Sequence, residues 1–229
     1  MKGRLGDSTK IFTAMMCLLV SAGLAFAGDF PGAKPDRQII KTQEKVDKLF
    51  EKGDYDRAFF IYRQELTPLG DKYAQYMVGY MTIVGKGTDK DIILGSAWYR
   101  LAAERGEKNF AKARDEILAY FNDEQMAVSD ERYAELRMQY SDAMIVAKLI
   151  EEDLEIVSGQ ASNSSLSYTA ADSGSANNAE SRRRAESAAE RIETRLGFLE
   201  SSLISSEFMS AEERSHIEDL VRRTKIVIE

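Results

Sequence analysis

The chain has one histidine, His216, and one cysteine, Cys17, in 229 residues. That scarcity closes off several chemistries. A zinc site of His and Cys ligands needs three or four of them, and a cysteine nucleophile needs a thiol beside a base. A serine triad would have to use His216, which falls on a helical stretch near the C-terminus where a solvent-facing histidine is the ordinary outcome. Acidic pairs such as Glu151-Glu152 and Glu212-Glu213 are adjacent in sequence, so they diverge around a helix and do not face each other across a cleft as a glycosidase requires. Gly85-Lys86-Gly87-Thr88 lacks the spacing of a phosphate-binding loop. No catalytic, cofactor-binding or metal site is expected. Proline is rare too: Pro31 and Pro35 lie in a Gly/Pro-containing flexible lead over residues 28–36, and Pro68 sits in a turn, Thr67–Gly70.

Residues 1–27 read as a secretory signal. Lys2, Arg4 and Lys10 form the positive end. Ile11 to Phe26 are mainly apolar but fall short of the roughly 20 residues of a membrane span. Ala25-Phe26-Ala27 is a small-x-small cleavage site. Ala14-Met15-Met16 before Cys17 does not form a lipobox, so no lipid anchor is expected there. Cleavage removes the only cysteine, so the exported chain can make no disulfide although its compartment permits one. The net charge of −7 becomes more negative, because the signal holds three basic residues against one acid, Asp7. An acidic balance argues against nucleic acid or anionic lipid as partner. After cleavage no membrane insertion is expected, and the location is periplasmic or secreted.

What is present is helical patterning. Asp36 to Lys52 carries Ile39, Val46, Leu49 and Phe50 on one side, and Gly53 closes it. Asp54 onward carries Ala58, Ile61, Tyr62 and Leu66 as buried candidates. Lys72 to Val84 is apolar on most sides, so it needs neighbours on more than one side. Gly85 and Gly87 break it. From Asp91 to Arg105, Leu94, Trp98, Leu101 and Ala102 fall on one face. Gly106 stands in the usual C-cap place. The result is an antiparallel hairpin with Trp98 as its bulkiest wedge.

The stretch 72–106 resembles one Sel-1-like repeat, a relative of the tetratricopeptide repeat. Ala74, Gln75, Gly79, Gly85, Gly87, Asp91, Trp98, Tyr99, Ala102, Ala103 and Gly106 stand where that pattern wants them. Ala74, Gly79, Gly85, Gly87, Trp98, Ala102, Ala103 and Gly106 are read as repeat-packing residues. Two positions depart: Thr82 replaces the usual Tyr, and Gly95 the usual Ala. Gly95 costs about 1 kcal/mol in a helix interior, and is expected to admit closer contact with the preceding hairpin. Residues 37–70 look like a degenerate copy offset by about 37 residues, near the period of about 34 of tetratricopeptide units. The resemblance implies an all-α fold, a short array of antiparallel helical hairpins. It also implies a role in binding another protein, since similar proteins act as adaptors, often at the cell envelope.

No clean third copy follows Gly106. Glu107–Phe121 is expected to be helical with Phe110, Ala113, Ile117 and Phe121 inward. Asn122-Asp123-Glu124-Gln125 is a capping box. The next helix carries Met126, Tyr133, Leu136 and Tyr140, and the one from Asp142 to Ile156 carries Val146, Ile150 and Leu154. These helices are taken as the C-terminal cap of a repeat domain spanning 37–157. Residues 158–178, rich in Ser, Asn, Ala and Gly, read as a flexible linker. Residues 179–229 read as a helical hairpin or coiled-coil-like tail: Ala185, Ala188, Ile192, Leu196, Leu199 and Leu203 make an apolar seam. Ser210-Ala211-Glu212-Glu213 is a second capping box. Arg182-Arg183-Arg184 reads as a solvated helix face neutralised by Glu180, Glu186 and Glu190.

The expected function is that of an exported scaffold or adaptor with an unidentified protein partner, contacted by Tyr73, Met77 and Tyr80 on one helical face. An alternative is an assembly protein that self-associates through 179–229. A third is an enzyme acting on cell-wall-related ligands, for which no catalytic constellation is visible. The exported form is predicted to begin at Gly28. Its N-terminal sequence should read Gly-Asp-Phe, and a membrane-bound form retaining Met1 would contradict this.

Overall fold

Gly79 and Gly95 let two helices cross with their backbones in contact. They lie on α3 (Lys72–Val84) and α4 (Ile92–Ala102), in the computed structural model of the chain. The structure describes residues 30–32, 37–166, 175–205 and 209–228, with side chains apart from those of 160–178. The signal, its cleavage site, most of the lead and the Asp36 cap lie outside the described residues.

A Cβ on Gly95 would stand 2.8 Å from the carbonyl oxygen of Gly79, and one on Gly79 would stand 2.7 Å from the ring of Tyr99. The two helices cross backbone to backbone. The contact of Gly95 is therefore with Gly79 and Ile83 of its own hairpin, not with the preceding hairpin as expected from its place in the pattern. The turn between the helices is closed by Gly85 at φ +72°, a left-handed angle that a side chain resists. Asp71 and Asp91 cap the two helices by accepting the amides of Ala74 and Leu94.

Before this hairpin come α1 (Arg37–Glu51) and α2 (Tyr55–Ile61). Phe50 meets Tyr55 edge to face, and Tyr62 Oη donates to Asp47, so the pair is antiparallel. α2 does not end cleanly. It widens into a π-helical turn, Tyr62–Leu66, in which the Thr67 amide reaches back to the Tyr62 carbonyl, and then tightens into a 3₁₀ turn, Thr67–Leu69. Pro68 at the start of that turn cannot continue a helix, and Gly70 closes it.

α4 is the hub. It packs on α3, on α5 (Lys108–Leu118) and on α6 (Asp123–Tyr140), whereas α5 and α6 make little contact with each other. They are two separate covers of α4 and not a third hairpin. α6 runs parallel to α4: Ser96 meets Ser129 and Arg100 meets Asp130. Both halves of the Asn122–Gln125 capping box are present. Trp98 is fully buried between Arg63 and Tyr140. Ala74, Gly79, Ala102 and Ala103 are buried as well, and Gly106 closes the 3₁₀ turn Ala103–Arg105 that follows α4.

The remainder departs from the expected layout. α7 runs from Asp142 to Leu166 and α8 from Ser175 to Ser205. Residues 158–166 and 175–178, expected in a flexible linker, are helical. Ser and Asn are weak helix formers but not breakers, and Ala is the strongest former of all. The stretch has no proline, and extending an established helix is cheap compared with nucleating one.

The tail is also not a satellite. α7, α8 and α9 (Ala211–Ile228) pack together, and Pro31–Glu229 forms one compact unit. Arg191 and Arg195 of α8 reach Asp153 and Leu149 of α7, so α8 is antiparallel to α7. Glu213 meets Ser141 and Arg223 meets Glu151, so α9 advances in step with α7. The seam residues Ala188, Ile192, Leu196 and Leu199 are buried inside this bundle with Val146, Ile150, Ile217 and Leu220. Among the described residues the fold is all-helical, an array of helices packed on their chain neighbours.

Helix propensity alone would make Gly95→Ala stabilising by about 1 kcal/mol. The overlap with the Gly79 carbonyl reverses the sign. Gly95→Ala is predicted to destabilise by about 1–3 kcal/mol, read as a lower midpoint in urea-induced unfolding. A raised midpoint would mean that the two helices are not in backbone contact.

Candidate functional site

The face expected to meet a partner is occupied by the chain itself. Met77 is 1 % exposed. Tyr73 packs edge to face on Tyr62, and Tyr80 on Phe50. All three lie on the side of α3 that receives the first hairpin, so the assignment of Tyr73, Met77 and Tyr80 as exposed contacts gives way to packing. The physical reason is the open flank of a repeat: aromatic residues along it are what the preceding hairpin buries.

The same junction holds a lysine among rings. Lys86, on the loop after α3, places Nζ 4.5 Å from the ring centre of Tyr55, 5.4 Å from Phe50 and 5.9 Å from Tyr80. Gly87 beside it lies so close to the first hairpin that a Cβ would stand 2.9 Å from the Asp56 amide nitrogen. The Gly85-Lys86-Gly87 loop, far from cradling phosphate, fastens the second hairpin to the first by cation–π attraction.

The densest polar constellation was not visible in the sequence. Six charged side chains from five helix ends converge near the start of α7. Lys72 Nζ lies 2.8 Å from Glu104 Oε2 and 3.0 Å from Asp142 Oδ1. Arg105 grips Asp142 through two bonds of 2.8 Å and donates a third to the Gly70 carbonyl. Arg137 grips Glu213 through two bonds of 2.8 and 2.9 Å and reaches Glu104 at 3.2 Å. Ser141 Oγ also donates to Glu213. Gln75 is fully buried: its oxygen accepts from Lys72 and its nitrogen donates to the Tyr140 carbonyl.

Three cations face three carboxylates, so the cluster is neutral as a whole. Two bidentate guanidinium–carboxylate pairs supply geometry as well as energy. Glu213 is 0 % exposed and Arg137 3 %. Glu213 was expected to complete a capping box with Ser210. Only half of that box forms: the Glu213 amide donates to Ser210 Oγ, while the Glu213 carboxylate turns inward to Arg137 and Ser141. A local motif yields to a tertiary partner 76 residues away.

Burial would push the Asp142 carboxyl up, but the Lys72 ammonium and the Arg105 guanidinium outweigh it and hold the group below the ordinary carboxylate value. A carboxylate with a depressed native pKa stabilises the fold at all pH above its unfolded value. That contribution is lost as pH falls through the native value. Asp47 is the opposite case. Burial raises it, the Tyr62 hydrogen bond partly offsets this, and the Asp71 and Glu51 charges add to the rise. A second buried pairing, Asp153 with Arg191 and Arg195, ties α8 to α7, and Arg195 also donates to the Pro31 carbonyl.

His216 is half-buried on α9. Among the described residues no group of three His, Cys, Asp or Glu side chains is placed to hold a metal. Nor is any helix there long and apolar enough to cross a membrane. No protein-family model matches the chain, nor does any curated protein or solved structure.

Removing one partner of the Arg137–Glu213 pair strands a buried charge. Glu213→Leu is predicted to cost about 3–5 kcal/mol, and Arg137→Met a similar amount. The double variant Arg137→Met/Glu213→Leu leaves two cations facing two carboxylates, so it should be more stable than either single variant. Chemical denaturation of the three proteins checks this. A double variant as unstable as the sum of the singles would show that the pair is not coupled.

Proposed function

We propose that the chain is an exported helical-repeat scaffold or adaptor of the bacterial periplasm or cell envelope, non-catalytic, that holds a protein partner. The reading rests on the resemblance of residues 72–106 to a Sel-1-like repeat and on the signal-like residues 1–27. The observation that carries it is the hairpin α3–α4. The residues that make the resemblance are those that close this hairpin, so the pattern corresponds to packing. An array with its repeat-pattern residues committed inward leaves the outward side chains free to suit a partner.

A second reading, assembly through the tail, has one observation in its favour. It is not the seam of α8, which the chain's own α7 and α9 cover. It is the end of α9, where Ile226 is 72 % exposed and Val227 and Ile228 are also exposed. Apolar side chains at three successive positions are unusual for a solvated helix end.

Affinity capture with the full chain from its own envelope fraction, followed by cross-linking and mass spectrometry, tests the scaffold reading. Cross-links from a captured protein are expected on α1–α6. Cross-links confined to a second copy of the chain through α9 would favour assembly, with a dimer or larger species by mass in solution. Failure to enrich any protein over a tag-only control would overturn the scaffold reading.

A further inference from the structure

We propose that Arg63 is the anchor of a carboxylate-binding site, reading an acidic group of a partner polypeptide. It rests on the scaffold reading above and names the chemistry that the scaffold would grip.

Arg63 lies inside the π-helical turn Tyr62–Leu66. Such turns carry one residue too many for the α-helical ladder, and they recur at functional positions. Here the turn delivers the guanidinium over two rings. The Arg63 carbon Cζ is 5.1 Å from the centre of Trp98 and 6.0 Å from that of Tyr140, and the two ring centres are 5.0 Å apart. The three groups form a triangle with the cation at its apex.

Side-chain hydrogen bonds fix the backbone on both sides. Thr67 Oγ1 donates to the Arg63 carbonyl, and Gln75 Nε2 donates to the Tyr140 carbonyl. The site is therefore assembled before any ligand arrives.

What it lacks is an acceptor. Among the described residues the other arginines in comparable surroundings have an acceptor: a carboxylate for Arg100, Arg105, Arg137, Arg191 and Arg195, and the Leu203 carbonyl for Arg214. Half-buried Arg63 pairs with no carboxylate or carbonyl among the described residues. Beneath it, the Trp98 indole N–H is buried without a hydrogen-bond partner. Leaving a buried donor unsatisfied forfeits the hydration it had in water with nothing in return. An arginine and an indole in contact thus both carry unused donors, in a protein whose other buried charges are closely paired.

A guanidinium held on aromatic faces keeps its N–H fork free at the edge. That fork matches a planar carboxylate with two parallel bonds. One cation within a chain of net charge −7 suits a monovalent anion better than a phosphate dianion or a polyanion. A chain-terminal carboxylate and an aspartate or glutamate side chain share this chemistry.

Trp98 is the only tryptophan, so its emission reports on this site alone. The test titrates the full chain with three peptide pools and follows tryptophan fluorescence, with calorimetry alongside. The first pool is of acetylated neutral tetrapeptides with a free C-terminal carboxylate. The second is of the same length, amidated, with one internal glutamate. The third is neutral and amidated. A saturable response to either acidic pool and none to the neutral one is expected, and the responding pool identifies the source.

Arg63→Gln should weaken that response at least tenfold while the far-ultraviolet circular dichroism is unchanged. Arg63→Lys, which keeps the charge but loses the fork, should weaken it several-fold. An equal response to the neutral amidated pool, no saturable response at all, or an unchanged response in folded Arg63→Gln would overturn the site. If Arg63→Gln fails to fold, Arg63→Lys decides, and an undiminished response there overturns the fork. Loss of the site with retained capture of a partner by the wild-type chain would leave the scaffold reading standing.

Discussion

The buried pair of Arg137 and Glu213 is the contact on which the tail depends. Two ions taken out of water lose several kcal/mol of hydration each, and only good geometry with further hydrogen bonds offsets that loss. Here the geometry is bidentate, Ser141 satisfies one carboxylate oxygen further, and Glu104 gives Arg137 a second acceptor. The pair is worth more as a specifier than as a source of stability. A hydrophobic contact would let α9 slide along α7. A forked guanidinium with one acceptor in place fixes the register, and Arg223 meets Glu151 about three turns further on in the same register.

The neutral cluster also explains how dissimilar parts become one body. Lys72 begins α3, Glu104 and Arg105 follow α4, Arg137 ends α6, Asp142 begins α7 and Glu213 lies in the first turn of α9. These are helix termini, where backbone groups lack intrahelical partners. The cluster serves them as well: Glu104 accepts the Asp142 amide, and Arg105 donates to the Gly70 carbonyl. Charge balance and end-capping are met by the same side chains, so a break in one disturbs the other.

How much of this could be read from the chain differs by range. The hairpin of Lys72–Arg105 was legible because its determinants are local: a glycine at each break, and apolar spacing of three and four. The asparagine capping box at 122 was legible for the same reason. The crossing at Gly95 was assigned to the wrong neighbour, since a small residue marks a close approach without saying what approaches. The two ends of the linker, 158–166 and 175–178, were misread because composition speaks of propensity, and α7 and α8 propagate past the weak residues from a packed base. Glu213 was misread in the opposite way. Ser210 and its acidic neighbours satisfy a local rule, and nothing within ten residues points to Arg137. The charges that close the fold are separated by tens of residues, so no window of the sequence contains them.

The same distinction separates the two aromatic clusters at the array's first junction. Lys86 and its three rings are a finished contact: cation, faces and backbone approach all lie within the chain, and the result is a fastening between hairpins. Arg63 and its two rings have the same ingredients with one omission. The cation there is a planar fork whose donors extend past the rings, and the ring beneath it holds a buried donor of its own. A lysine ammonium enclosed by three faces is complete without a counter-ion, because the ring quadrupoles supply the negative charge. A guanidinium on two faces keeps directional hydrogen-bonding capacity that ring faces do not satisfy. Within one protein, the closed cage therefore marks where the array holds itself together, and the open shelf marks where it has chemistry left for something else.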